Sequence, residues 1–192
     1  MINSTLQEAL ASFSNVIERV AFSDAAGESI SESHTFSQLR ELFSKVKQER
    51  KTIYFIGNGG SAAIVAHVQN DLVNKCKLKC HVLQDASLLT CMSNDYGYQV
   101  AYSTILDTCF DEGDVLVAVS SSGNSANMLE ASKVVKHKKG FLLTLTGFSE
   151  DNHLRKLGNI NIWLPSKDYG EVEVGHQFIL HLLTDRLALE LN

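Results

Sequence analysis

His67 and Asp71 stand four residues apart in a run with helical patterning, which puts an imidazole and a carboxylate on one helix face. That spacing suits a single metal ion. It equally suits an ordinary ion pair on a solvated helix. His181 lies in a long apolar run near the C-terminus, where the plain alternative to a chemical role is a satisfied core histidine. A carboxylate and an imidazole together can move protons, because the pKa values of both can be tuned toward neutrality.

Two loops give these residues a context. Thr52 to Ile56 is a short apolar, β-branched and aromatic run, followed by Gly57-Asn58-Gly59-Gly60 and by Ser61 at a helix start. Strand, glycine turn and helix start present backbone N–H groups to an anion. Gly59 and Gly60 let the backbone approach it, and the helix start adds partial positive charge. The turn is not GxGxxG and lacks the lysine of a GxxxxGK[ST] loop, so a dinucleotide or nucleoside triphosphate is not implied. The second loop, Ser120-Ser121-Ser122-Gly123-Asn124-Ser125, offers hydroxyls, an amide and backbone N–H groups. Ser125 is also placed as a helix N-cap. Together the loops point to phosphate held without permanent positive charge.

Elements able to position these loops follow from the pattern. Leu6, Leu10, Phe13, Ile17 and Val20 recur at helical spacing, as do Phe36, Leu39, Phe43 and Val46. Ser23 to Glu32, polar and containing Gly27, reads as a connector. Strands are expected near 52–56, 80–84, 114–119, 140–145 and 159–164, with helices near 61–75, 97–110, 125–137 and 171–190. The runs at 114–119 and 141–145 are nearly continuously apolar, as in strands covered on both faces. The alternation predicts an α/β fold, a doubly wound parallel sheet of five strands behind two N-terminal helices. Residues 1–50 would form a helical extension and 51–192 the main domain. Ligands of such sheets bind beyond the carboxyl ends of the strands, which puts both loops on one rim.

The 192 residues suffice for a real core, and 44% hydrophobic with 20% charged residues is ordinary for a globular chain. A net charge of −5 with no basic block excludes general nucleic-acid binding. No run approaches a membrane span, and the start, Met1 to Leu10, lacks the basic and apolar regions of an export signal, so a cytoplasmic location is expected. Cys76, Cys80, Cys91 and Cys109 form no CxxC and read as reduced and mostly buried.

Several of these motifs, in order, resemble the sugar isomerase (SIS) domains, and within them the phosphoheptose isomerases. They are GNGGS at 57–61, SSSGNS at 120–125, Leu145-Thr146-Gly147, Ser93-Asn94-Asp95-Tyr96-Gly97-Tyr98, and Gly175 to His181 in the last helix. The likeness runs from about Thr52 to Leu191. It implies a flavodoxin-like sheet, a homotetramer with active sites between subunits, a small sugar phosphate as substrate and zinc as a cofactor in some members.

By position, Ser61, Ser120, Ser121, Ser122 and Ser125 match the family's phosphate-binding residues, and Asn58 and Asp95 those lining the sugar. His67 matches a zinc-binding histidine, Asp71 falls where a catalytic glutamate is usual, and His181 matches the second catalytic residue. Glu173 replaces a usual glutamine near substrate and metal, so the implied metal set is His67, Asp71, Glu173 and His181. Aspartate for glutamate shortens the reach by roughly 1.5 Å. Glu173 adds negative charge. Glu173 and His181, if both helical, are about 12 Å apart along the axis and rotated about 80°. One metal would then have difficulty accepting both, unless a neighbouring subunit helps or Glu173 precedes the helix. His176 reads as structural or interfacial.

The implied reaction exchanges ketose and aldose through an enediol, sedoheptulose 7-phosphate giving D-glycero-D-manno-heptose 7-phosphate, a precursor of surface heptose. Such a reaction needs one proton moved between adjacent carbons and another between their oxygens, tasks for Asp71 and His181. The alternatives are a phosphosugar-binding regulator without turnover and an isomerase of another ketose phosphate.

Overall fold

In the computed structural model, which describes residues 5–191, the elements run in chain order as follows. They are α1 (Leu6–Glu18), β1 (Ala21–Asp24), α2 (Glu32–Gln48), β2 (Ile53–Gly57), α3 (Gly60–Cys76) and β3 (Cys80–Val82). Next come α4 (Ala86–Tyr96), α5 (Ala101–Cys109), β4 (Val115–Ser120), α6 (Ala126–His137), β5 (Phe141–Thr146), β6 (Ile160–Trp163) and α7 (Tyr169–Leu191). The sequence start read for an export signal lies partly outside the described residues. No described helix is long and apolar enough to cross a membrane.

The sheet has the order β1-β6-β5-β4-β2-β3. Strands β2 to β6 are parallel and are the five expected. A sixth, β1, takes in Ser23 and Asp24, the first two residues of the stretch expected as connector. Phe22 pairs with Ile162 in an antiparallel ladder at the edge. The strand is short, and Asp24 masks it by turning the chain straight back. Its Oδ1 accepts from the N–H groups of Ala26 and Glu28 around Gly27, whose φ is 82°.

The segment expected as one helix over 97–110 is broken at Gly97, φ 93°, by a 3₁₀ turn over 98–100. The helix before it, α4, was not anticipated. Asp85 caps it by accepting from the Leu88 N–H at 2.9 Å.

Two cores flank the sheet. Leu39, Phe43, Val46, Val65, Val68, Leu72, Leu180 and Leu183 pack on the strands from α2, α3 and α7. Tyr102, Leu106, Met128, Ala131 and Val135 do so from α5 and α6 on the other face. The apolar stripe expected along α1 is only half used: Ile17 and Val20 pack partly buried on the core, Leu6 and Leu10 are exposed, and the one fully buried residue, Val16, lies beside the stripe. Cys76 and Cys80 are buried, Cys109 is partly so and Cys91 is exposed; all four are free thiols.

His176 is a scaffold residue. It is fully buried on α7 with Nε2 3.1 Å from the Thr146 carbonyl at the end of β5. Burial pushes its pKa from 6.5 down to about 4, so it stays neutral where the unfolded chain would take up a proton. The unfolded state therefore binds more protons between these values, and stability falls as pH drops from 6.5 toward 4. Urea midpoints measured across that window should fall for the wild type and fall less for His176→Gln, which keeps a donor for Thr146. The limit is about 3 kcal/mol.

Candidate active site

In sequence order the parallel strands run 2-1-3-4-5 across the sheet, which puts the topological switch between β2 and β4. Gly57 pairs with Val119, so the glycine turn and the serine loop leave adjacent strand ends. Both expected loops thus lie side by side at the crevice where such folds hold ligands.

A side-chain clip joins the two loops. Asn58 Nδ2 donates to Asn127 Oδ1 at 3.0 Å, and Asn127 Nδ2 donates back to Asn58 Oδ1 at 2.9 Å. Tyr98 adds a hydroxyl bond to Asn58 Oδ1 at 2.7 Å, and Tyr102 donates to the Gly57 carbonyl at 2.7 Å. Asn58, expected to line the sugar, has its amide engaged in setting the spacing of the rim. Asn127, Tyr98 and Tyr102 were not singled out from sequence. The one available signal was the four-residue spacing of the two tyrosines.

The start of α3 has no side-chain cap, since Gly59 occupies the N-cap with φ 54°. In the serine loop, Ser120 Oγ accepts from the Gly123 N–H and Ser122 Oγ from the Asn124 N–H. Ser125 sits at the N-cap of α6 without making a side-chain cap bond. Ser121 is buried, and its hydroxyl has no partner. A buried hydroxyl without a partner loses free energy that a bound acceptor would restore.

Helices α3 and α7 carry the ionisable residues. Asp71 is 8% exposed. Its Oδ2 lies 3.2 Å from His181 Nδ1, 3.9 Å from His67 Nε2 and 3.3 Å from Lys75 Nζ. The His67 and His181 rings meet edge to face at 4.9 Å. Lys75 also reaches Asp185 Oδ1 at 3.0 Å, and the carboxylates of Asp185 and Asp71 raise its pKa. The shorter aspartate therefore does reach its histidine. Lys75 and Asp185 were missed, although Lys75 continues the i,i+4 series of His67 and Asp71.

His67, Asp71 and His181 bring one ligand atom each within 4.8 Å of one another, a group able to hold a metal ion. Two nitrogens and a carboxylate oxygen with a position left open suit a catalytic zinc. Glu173 does not join this group. It lies within α7, which begins at Tyr169, so it does not precede the helix. Its carboxylate packs where a Cβ on Gly60 would stand, at the start of α3. The expected conflict between Glu173 and His181 is thus resolved by separation. Glu171, one turn earlier than Gly175, accepts from Ser12 and Ser166 and ties α1 to α7. Asp95 is exposed on α4, accepting from Asn94 and Cys91.

The comparisons with known proteins agree with this geometry. Residues 23–147 match the SIS domain family. A phosphoheptose isomerase of Cytophaga hutchinsonii is 35% identical over 188 residues, 95% of this chain and 93% of that one. One of Maridesulfovibrio salexigens is 35% identical over 178 residues, 86% of each chain. The solved phosphoheptose isomerase of Neisseria gonorrhoeae superposes with a TM-score of 0.76 at 28% identity, covering 95% of this chain and 98% of that chain. With the crevice, the two loops and the Asp71 cluster in place, the chain belongs to the phosphoheptose isomerase family of SIS-domain proteins.

Proposed function

We propose that the chain isomerises sedoheptulose 7-phosphate to D-glycero-D-manno-heptose 7-phosphate through an enediol. The observation that carries this reading is the 3.2 Å approach of Asp71 Oδ2 to His181 Nδ1, with Asp71 on the helix that starts at the glycine turn. Ser61, Ser120, Ser121, Ser122 and Ser125 receive the phosphate, and the partnerless Ser121 hydroxyl supports this. The Asp71 carboxylate takes a proton from C1 as the His181 imidazolium gives one to O2, forming the enediol. His181 then takes the O1 proton while Asp71 returns its proton to C2. Both groups end as they began. His67, Asp71 and a neutral His181 would hold zinc, which when bound would supply Lewis-acid polarisation of the carbonyl in place of the His181 proton.

The enzyme works in the cytoplasm as a homotetramer with active sites between subunits. In support, α4 buries none of its residues, and Leu6, Leu10, Val174 and Phe178 leave apolar surface on α1 and α7. A neighbouring subunit on α4 would bring Asp95 toward a site.

The test is conversion of sedoheptulose 7-phosphate by the purified chain with added zinc and with chelator. Turnover is the expected result, and phosphosugar binding without turnover would favour a regulator. Glu173 bears on the affinity. Its carboxylate at the α3 start repels an anionic substrate, so Glu173→Gln should lower KM about two- to fivefold at low ionic strength. The gain should shrink in high salt.

A further inference from the structure

Glu173, Gln177, His181 and Asp185 follow one another at four-residue intervals on α7. Three of the four meet α3. Glu173 lies against Gly60, His181 against His67 and Asp71, and Asp185 reaches Lys75. The two helices thus run in the same direction with facing stripes. Gln177 stands between Glu173 and His181, one turn or about 6 Å from each along the axis.

Its amide Nε2 is buried and has no hydrogen-bond partner. The α3 side chains between Ser61 and His67 are Ala62, Ala63, Ile64, Val65 and Ala66, none of which can accept a hydrogen bond. An amide donor left unpaired in the free protein costs stability. Along α7 it stands between Glu173, which lies at the glycine turn, and His181, which pairs with Asp71.

We propose that Gln177 is a substrate-contacting residue whose amide N–H donates to the carbonyl or adjacent hydroxyl oxygen of the open-chain sugar phosphate. This inference rests on the isomerase reading. A donor at that point fixes the sugar oxygens relative to Asp71 and His181. It also favours substrates that carry an acceptor there.

The test compares wild type with Gln177→Met, which keeps length without polarity, and Gln177→Glu, which replaces the donor with an acceptor. Turnover of sedoheptulose 7-phosphate, thermal midpoint, and binding of that sugar phosphate and of inorganic phosphate are measured. Both variants should lose about tenfold or more in kcat/KM, the scale of one hydrogen bond. The methionine variant should melt at the same temperature as wild type or higher, because it removes an unpaired buried donor. Phosphate binding should not change. Activity within twofold of wild type overturns the proposal and leaves the isomerase reading intact. A loss of activity matched by lower melting in both variants also overturns it, since that is the behaviour of a packing residue.

If wild type binds the sugar phosphate without turnover, the isomerase reading falls and affinity decides the role of Gln177. Weaker sugar-phosphate binding with unchanged phosphate binding in the variants then upholds the contact, and equal affinity overturns it. If wild type does not bind the sugar phosphate, both fall.

Discussion

Asp71→Asn is expected to lower kcat for sedoheptulose 7-phosphate by about 10³-fold, the middle of the range for loss of a positioned general base. The substitution keeps shape and removes the charge. Asp71 Oδ2 is where His67, Lys75 and His181 converge, so no other carboxylate among them can take its place. Bound zinc should weaken in the same variant, because the group then offers two nitrogens and a neutral amide oxygen. Lys75→Met should cost less, about tenfold, because Lys75 holds the carboxylate in place and takes no proton in the reaction. Steady-state kinetics with thermal melting separates these effects. Activity of Asp71→Asn within tenfold of wild type would remove Asp71 as the base.

The same cluster shows how much was legible in the sequence. The i,i+4 spacing of His67 and Asp71 was readable because both lie on one helix, where local geometry fixes the distance. The five parallel strands were readable because β2, β4 and β5 are nearly continuous apolar runs buried along almost their whole length, a pattern with few alternatives. Strand β1 was not, since four residues of mixed burial carry no periodicity and depend on β6, some 140 positions away, for their pairing. Helix α4 was missed for a different reason. None of its residues is fully buried, and only Leu89 and Met92 pack, partly buried, on the core, so its apolar face is too narrow to announce it, and only Asp85 and Gly97 mark its ends. The resemblance implies Glu173 in the metal set, but its carboxylate is at Gly60. That position depends on how α7 crosses α3, which spacing within one helix cannot give. The Asn58–Asn127 clip likewise joins residues 69 apart, and neither side chain signals it alone.

Gly57→Ala is expected to damage fold and activity together. Gly57 ends β2, and a Cβ there would stand 2.7 Å from the backbone carbon of Ser61 and 2.8 Å from its carbonyl oxygen. Those atoms belong to the first turn of α3, so no side-chain rotation relieves the clash. Either the strand end or the helix start must move. Both routes disturb neighbours: Tyr102 holds the Gly57 carbonyl at 2.7 Å, and Asn58 is fixed by Asn127 and Tyr98. Overpacking of this kind costs about 1–3 kcal/mol. A shift near 1 Å in the turn would lower kcat/KM by about 10²-fold. Gly27→Ala supplies the contrast. Gly27 has φ 82° with nothing within 4 Å of its Cβ position, far from the crevice. It should lose about 1–2 kcal/mol through backbone strain and keep full kcat/KM in the folded fraction. Urea midpoints and kinetics on both variants decide the matter. Equal activity in the two would mean that the glycine turn tolerates displacement, and that phosphate is held by the serine loop without it.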